Sequence, residues 1–243
     1  MFESVVYKGV KVNYCKFGEG ETTLFLHGWE GEINSFLWFA KKLDGCKVLV
    51  DLPPFGKSEL LKGVWNLFDY VSLIKYLMEH LQIEKYNIVA HSFGGRIALV
   101  LGTSKNVNKM VLTGSAGIKD KSIITKLKVA KFKILKQLAQ VGLYDKKKLL
   151  KYGSSDYIKL DDIMKQTFKN VVNFDLKSIL KYVQCETLLV WGENDNSTPL
   201  KNGKLMKKKL PNSGLYIIKG GSHFAYIEYP QIFLSAIKEF FNL

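Results

Sequence analysis

The sequence predicts an α/β architecture: a mostly parallel sheet of eight strands with helices on both faces. Three observations carry this. Eight short runs rich in β-branched and aromatic residues recur along the chain, and the last six are mostly continuous apolar stretches, as strands buried on both faces require. Helical patterns lie between them, which is the alternation of βαβ units. A length of 243 residues with 47% hydrophobic content suits one large domain with a full core.

The strands are read at 4–7, 11–17, 22–27, 47–51, 86–90, 109–113, 187–192 and 214–218. The first two, joined around Lys8-Gly9, form an antiparallel hairpin at the sheet edge. Helices are read at 34–43, 66–82, 93–103, 200–210 and 231–241. The interval 114–186 is too long for one crossover. Within it, Ile123, Leu127, Ala130, Ile134, Leu138 and Val141 mark one helical face, while Lys126, Lys128, Lys133 and Lys136 mark much of the rest. Further helical runs follow at 146–152 and 161–172. Residues 117–172 are therefore read as a helical lid inserted between strands six and seven of a core formed by 1–116 and 173–243.

The formal net charge is +14. Of 36 basic residues only Arg96 is arginine, whereas phosphate and base readers lean on arginine's planar fork. The lysine bias reads as a solvated surface, and no nucleic-acid partner is expected. Residues 117–172 hold fourteen lysines against five acidic residues, so an acidic carrier protein or an anionic surface is the alternative partner there. No secretory signal and no membrane-spanning stretch is read. Cys15, Cys46 and Cys185 form no C-x-x-C pair and are expected as free thiols in the cytoplasm. No histidine pair has metal-ligand spacing, so no metal or cofactor is expected. Phe55-Gly56-Lys57-Ser58 imitates the tail of a phosphate loop, but Asp51 stands where its first glycine belongs.

The chemistry centres on NIVAHSFGGRIALVLG, residues 87–102. Ser92 stands between a strand and a helix, with Ala90, Gly94 and Gly95 around it. Small neighbours permit a sharp, strained turn that holds a hydroxyl above the sheet, before a helix N-terminus that favours negative charge. Read alone, the same residues also suit a tight packing joint.

The motifs LFLHGWEG (24–31), DLPPFGKSE (51–59), AHSFGGRIAL (90–99), LLVWGENDNSTP (188–199) and GGSHFAYIEYP (220–230) together resemble the α/β-hydrolase superfamily, in its lidded esterase and carbon–carbon hydrolase branch. Ala90 departs from the usual glycine before the nucleophile, and Pro54 stands where relatives often carry glycine. The resemblance implies a triad in the order Ser, acid, His. Of the histidines His27, His80, His91 and His223, only His223 follows Ser92. Asp195, past the 187–192 strand, is the implied acid, with Glu193 its local competitor. The backbone N–H groups of Trp29 and Phe93 are the implied oxyanion donors. His27 and His91 are read as structural, and His80 as a surface residue at a helix end. Arg96, one turn beyond Ser92, is expected in an ion pair beneath the site, with a substrate carboxylate as the alternative partner. A pocket of Trp29, Phe93, Phe224, Ile123 and Leu127 is expected to take small to medium acyl esters. Cleavage of carbon–carbon bonds in vinylogous diketones, of carrier-linked acyl esters, or low-turnover ligand binding are the alternatives.

Overall fold

The computed structural model describes residues 2–119, 137, 139 and 160–243. Eight strands form one sheet in the order β1-β2-β4-β3-β5-β6-β7-β8. These are β1 (Phe2–Tyr7), β2 (Val10–Phe17), β3 (Thr22–Leu26), β4 (Cys46–Val50), β5 (Tyr86–His91), β6 (Val107–Thr113), β7 (Glu186–Gly192) and β8 (Ser213–Ile218). β2 runs antiparallel to both β1 and β4; every other pairing is parallel. The β1–β2 hairpin turns at Lys8 and Gly9, both at positive φ, the pair of values that a two-residue turn matched to strand twist demands.

The strands alternate buried side chains between two hydrophobic layers, because successive residues of a strand face opposite ways. Leu24, Leu26, Ile88, Ala90, Met110, Leu112, Leu189 and Trp191 face one layer, covered by α2 (Leu67–His80) and α3 (Phe93–Leu101). Phe25, Leu49, Val89, Val111 and Val190 face the other, covered by α1 (Asn34–Ala40) and the chain's last helix. After β6 the described chain resumes with α4 (Asp162–Val172), then two 3₁₀ turns at Leu176–Ser178 and Leu180–Tyr182. α5 (Leu200–Lys209), α6 (Ala225–Glu228) and α7 (Pro230–Phe241) complete it. Asn66 and Asp69 close a capping box at the start of α2, and Asp161 caps α4 by accepting the Met164 N–H.

Apart from residues 137 and 139, both helical, the stretch expected as a helix over 123–141 lies outside the described residues, as do the run at 146–152 and most of the lysine-rich stretch. Among the described residues no helix is long and apolar enough to cross a membrane. β4 lies on one side of β3 and β5 on the other, so the strand order reverses there. A crevice opens at the carboxyl ends of strands where such a reversal occurs. The segments 27–29 and 91–93 both leave the sheet at that point.

Candidate active site

Ser92 follows β5 directly and sits at φ 48°, ψ −105°, a conformation that costs a non-glycine residue about 1–3 kcal/mol. Its N–H donates to Thr113 O at 3.1 Å, which ties the turn to β6. The tight joint behind it requires glycine: a Cβ on Gly94 would lie 2.2 Å from Leu26 O. Ala90 fits the departure from the usual glycine, fully buried in register between Leu26 and Leu112.

The structure brings Ser92, His223 and Asp195 into one hydrogen-bonded line. His223 Nδ1 lies 2.9 Å from Asp195 Oδ2, and its Nε2 lies 3.0 Å from Ser92 Oγ. An ionised carboxylate only accepts, so Nδ1 carries the proton and Nε2 of the neutral ring accepts the Ser92 hydroxyl. Asp195 is 4% exposed. Its Oδ1 accepts the N–H groups of Ser197 at 2.9 Å and Thr198 at 2.8 Å, and its Oδ2 accepts the Thr198 hydroxyl at 2.7 Å. Burial works to raise its pKa, but the hydrogen bonds from His223 and Thr198 outweigh burial and hold it below the usual carboxylate value. Glu193 is turned aside: it is exposed and accepts the Gly220 N–H at 3.0 Å.

The other histidines have separate work. His27 Nδ1–H donates to Gly28 O at 2.6 Å while Nε2 accepts the Leu52 N–H at 2.9 Å, so the buried ring spans two loops; burial lowers its pKa. His91 donates Nε2–H to the carbonyl of His223 at 3.0 Å, with the two rings 4.7 Å apart. Burial first, then the nearby His223, push its pKa down to about 3, so it stays neutral. His80 ends α2, exposed and stacked on Tyr76.

A cavity of about 250 Å³ opens beside Ser92. Trp29, Phe93 and Phe168 form its aromatic wall; Trp29 packs edge-on at 5.3 Å from Phe93 and 5.0 Å from Phe168. Ala116, Gly117, Ile118, Val171 and Val172 continue the apolar lining, with Arg96, Ser197, Thr198 and Asn202 as polar points. Larger hollows, of about 550 and 730 Å³, lie beside the end of α2 and beside α7, away from the Ser92–His223 pair. Phe93 is the first residue of α3, where a helix leaves its N–H groups without intrahelical partners. The Trp29 backbone N–H also has no acceptor among the described residues.

Two expectations change. Phe224, expected as a pocket wall, is 51% exposed, packs edge-on to His223 with ring centroids 5.4 Å apart, and does not line this cavity. Ile123 and Leu127 lie outside the described residues. Among the described residues, Phe168, Val171 and Val172 of α4 line the cavity. Arg96, expected in an ion pair, directs its hydrogen bonds to carbonyls at the end of α4: Nη1 donates to Val171 O at 3.1 Å and Phe174 O at 2.8 Å, and Nη2 to Val172 O at 3.2 Å. Burial lowers its pKa to about 10, against the charge of Asp175. Thr198 and Phe168 were missed. A threonine three residues past the acid is the local signal for the first; nothing local marks the second. Among the described residues no His/Cys/Asp/Glu cluster could hold a metal ion.

A family model described as alpha/beta hydrolase fold matches residues 24–148, and one described as TAP-like protein matches 169–242. Hydrolase YugF of Bacillus subtilis (strain 168), itself uncharacterised, is 30% identical over 269 residues, covering 96% of this chain and 94% of that protein. The 2-hydroxy-6-oxononadienedioate/2-hydroxy-6-oxononatrienedioate hydrolase 2 of Pseudomonas putida is 27% identical over 262 residues, covering 95% and 91%. Among solved structures, an esterase from Exiguobacterium antarcticum aligns with a TM-score of 0.76 at 19% identity over 97% of both chains, a likeness of fold. With more than half of the chain matched by the family model and a 30% identical relative along nearly its whole length, the chain belongs to the α/β-hydrolase superfamily.

Proposed function

We propose that this hydrolase cleaves carboxylic esters of small to medium apolar acyl groups through Ser92, His223 and Asp195. The observation that carries the proposal is the unbroken line of hydrogen bonds from Asp195 through His223 to Ser92, 2.9 and 3.0 Å long, which ends where Ser92 lines the cavity. In this reading His223 takes the Ser92 proton as Oγ attacks the carbonyl carbon. The Trp29 and Phe93 amides hold the developing oxyanion. His223 then returns the proton to the leaving alkoxide, an acyl-enzyme remains, and water activated by the same imidazole clears it. Asp195 fixes the tautomer that lets Nε2 act as base. The carboxylate being already held ionised by its hydrogen-bond donors suits that role.

Substrate size follows from the cavity. About 250 Å³ holds about eight water-sized groups at roughly 30 Å³ each, so short and medium acyl chains fit. Each buried methylene favours binding by about 0.8 kcal/mol, roughly fourfold, until the space is full. The proposal includes a helical cap over 117–172, of which α4 supplies the cavity wall, and a cytoplasmic location that suits three buried free thiols.

A second reading, hydrolysis of a carbon–carbon bond in a vinylogous diketone, is favoured by the Pseudomonas putida relative named for such a substrate. The two are separated by turnover of aryl esters of increasing acyl length beside a coloured dienol acid. The ester reading expects kcat/KM to rise and then fall with acyl length; hydrolysis of the dienol acid with no ester turnover would replace it. In either case Ser92→Ala and His223→Ala should each remove nearly all activity, since nucleophile and base act as a unit.

A further inference from the structure

We propose that Thr198 is a positioning residue of this site: its hydroxyl and its backbone N–H grip both oxygens of Asp195 and, through that carboxylate, hold the His223 ring in line with Ser92. The inference rests on the reading of Ser92, His223 and Asp195 as a triad and adds a member that this reading does not contain.

The geometry is a clamp. Thr198 N–H donates to Asp195 Oδ1 at 2.8 Å, and Thr198 Oγ1 lies 2.7 Å from Asp195 Oδ2, the same oxygen that receives His223 Nδ1–H. The hydroxyl also lies 2.9 Å from Gly114 O and 3.2 Å from His223 Nδ1. One hydroxyl therefore touches the ends of three parallel strands: Gly114 after β6, Asp195 after β7, and His223 after β8. Gly114 makes the approach possible. It has φ 49°, and a Cβ there would meet His223 Nδ1 at 3.1 Å and Asp195 Oδ2 at 3.2 Å. Thr198 is itself 8% exposed and lines the cavity, so little water competes for the bonds it makes.

A hydroxyl has one proton, and here it has two acceptors. When it donates to Asp195 Oδ2 it draws off part of the charge that would otherwise bind the imidazolium. When it turns to Gly114 O it satisfies a buried carbonyl. Only donation to Oδ2 fixes where that oxygen sits, and at 2.7 Å it is the favoured arrangement, because two bare oxygens that close would repel. Losing it leaves Oδ2 with a fuller charge facing His223 alone, which favours the protonated ring. Among the described residues, the other ionisable groups around the pair are His91, packed on the His223 ring, Arg96, which lines the same cavity, and Glu228 of α6, which holds Ser222 next to His223. None of them hydrogen-bonds Asp195 among the described residues, so the substitution isolates the hydroxyl.

The experiment compares full-length wild type, Thr198→Val and Thr198→Ser in kcat and KM across pH, using a short-chain ester followed by titration of the released acid. Valine keeps the shape and removes the hydroxyl; serine keeps the hydroxyl. Thr198→Val should lower kcat about tenfold, the loss expected for one hydrogen bond to a buried charge, and leave KM much less affected. It should also move the acidic limb of the kcat/KM profile upward by about half a unit. Thr198→Ser should restore both. A valine variant with wild-type rate and profile overturns the proposal, and so does one that loses rate without moving the limb, since that is the mark of a merely structural residue. Should the valine variant not fold, Thr198→Ala against Thr198→Ser makes the same comparison. Ser92→Ala run alongside separates the two readings. If it keeps hydrolysis, the triad falls; if it is inactive while Thr198→Val keeps the wild-type profile, only the role of Thr198 falls.

Discussion

Replacing Arg96 by methionine should loosen the wall of the cavity before it touches the chemistry. Arg96 is 7% exposed, and its guanidinium donates to Val171 O, Phe174 O and Val172 O at 3.1, 2.8 and 3.2 Å. Hydrogen bonds from a charged donor contribute roughly 1.5–3 kcal/mol each, so the three together reach about 5–9 kcal/mol. Against this stands the desolvation of a buried cation, several kcal/mol, which the methionine variant no longer bears. The difference is about 2–4 kcal/mol of lost stability. In a domain of this size each kcal/mol moves the midpoint by about 2–4 °C, so Tm should fall by about 5–15 °C. The three carbonyls belong to the end of α4 and the residues just after it, and Val171 and Val172 line the cavity. KM for an ester that fills the cavity should therefore rise several-fold, with a smaller change in kcat. Arg96→Lys keeps the charge but not the fork, and should fall between. Calorimetry and steady-state kinetics on the three proteins check this. A Tm within 1–2 °C of wild type, or a loss confined to kcat, would refute the assignment of Arg96 as the fastener of α4.

Two further outcomes follow from the site. His91 is held at about 3 against an ordinary 6.5, so the unfolded chain takes up a proton that the fold refuses. Stability is then complete above about pH 6.5 and declines as pH falls toward 3, by at most about 1.4 kcal/mol per unit; in urea melts between pH 4 and 7, His91→Gln should lessen that slope, and an unchanged slope would count against a neutral His91. Phe168→Ala removes one ring of the aromatic wall packed at 5.0 Å on Trp29, so the acyl length giving the highest kcat/KM should shift upward by several carbons as the cavity grows. An unmoved optimum would place the acyl group elsewhere.

The strands were legible because their runs are continuously apolar, and both sheet faces are covered. Their ends were less so, for reasons visible in single residues. Asp51 was read into β4, yet its carboxylate leaves the sheet to accept Ile33 N–H at 2.7 Å, Asn13 Nδ2–H at 2.7 Å and Lys57 N–H at 2.8 Å. His27 was read into β3, but its ring is committed to Gly28 and Leu52. The helix at 93–103 stops at Leu101, where Gly102 serves as its C-cap. Such side-chain bonds to distant loops are tertiary facts that a local pattern does not encode.

What made Ser92, Asp195 and His223 legible together is parallel pairing. β5, β6, β7 and β8 run the same way, with Ala90 beside Leu112, Leu112 beside Leu189, and Leu189 beside Leu215. All four therefore end on one rim, and whatever follows each strand is delivered to that rim. A residue just past a strand end carries its address in the sequence. Phe168 does not follow a strand: it reaches the cavity on α4, 76 positions after Ser92, and is brought there by contacts made on both sides of that helix. Thr167 Oγ1 accepts the Trp65 N–H at 3.0 Å on one side, and Arg96 holds the carbonyls at its end. The amphipathic pattern of 161–172 shows that one face is buried, but not against what, since Trp65 and Arg96 lie far away in the chain. The chemistry of this site is thus written at strand ends. On the proposed reading, the wall that meets the acyl group comes from a helix whose placement only the folded chain determines, so substitutions on α4 should change substrate range while the Ser92–His223–Asp195 geometry stays fixed.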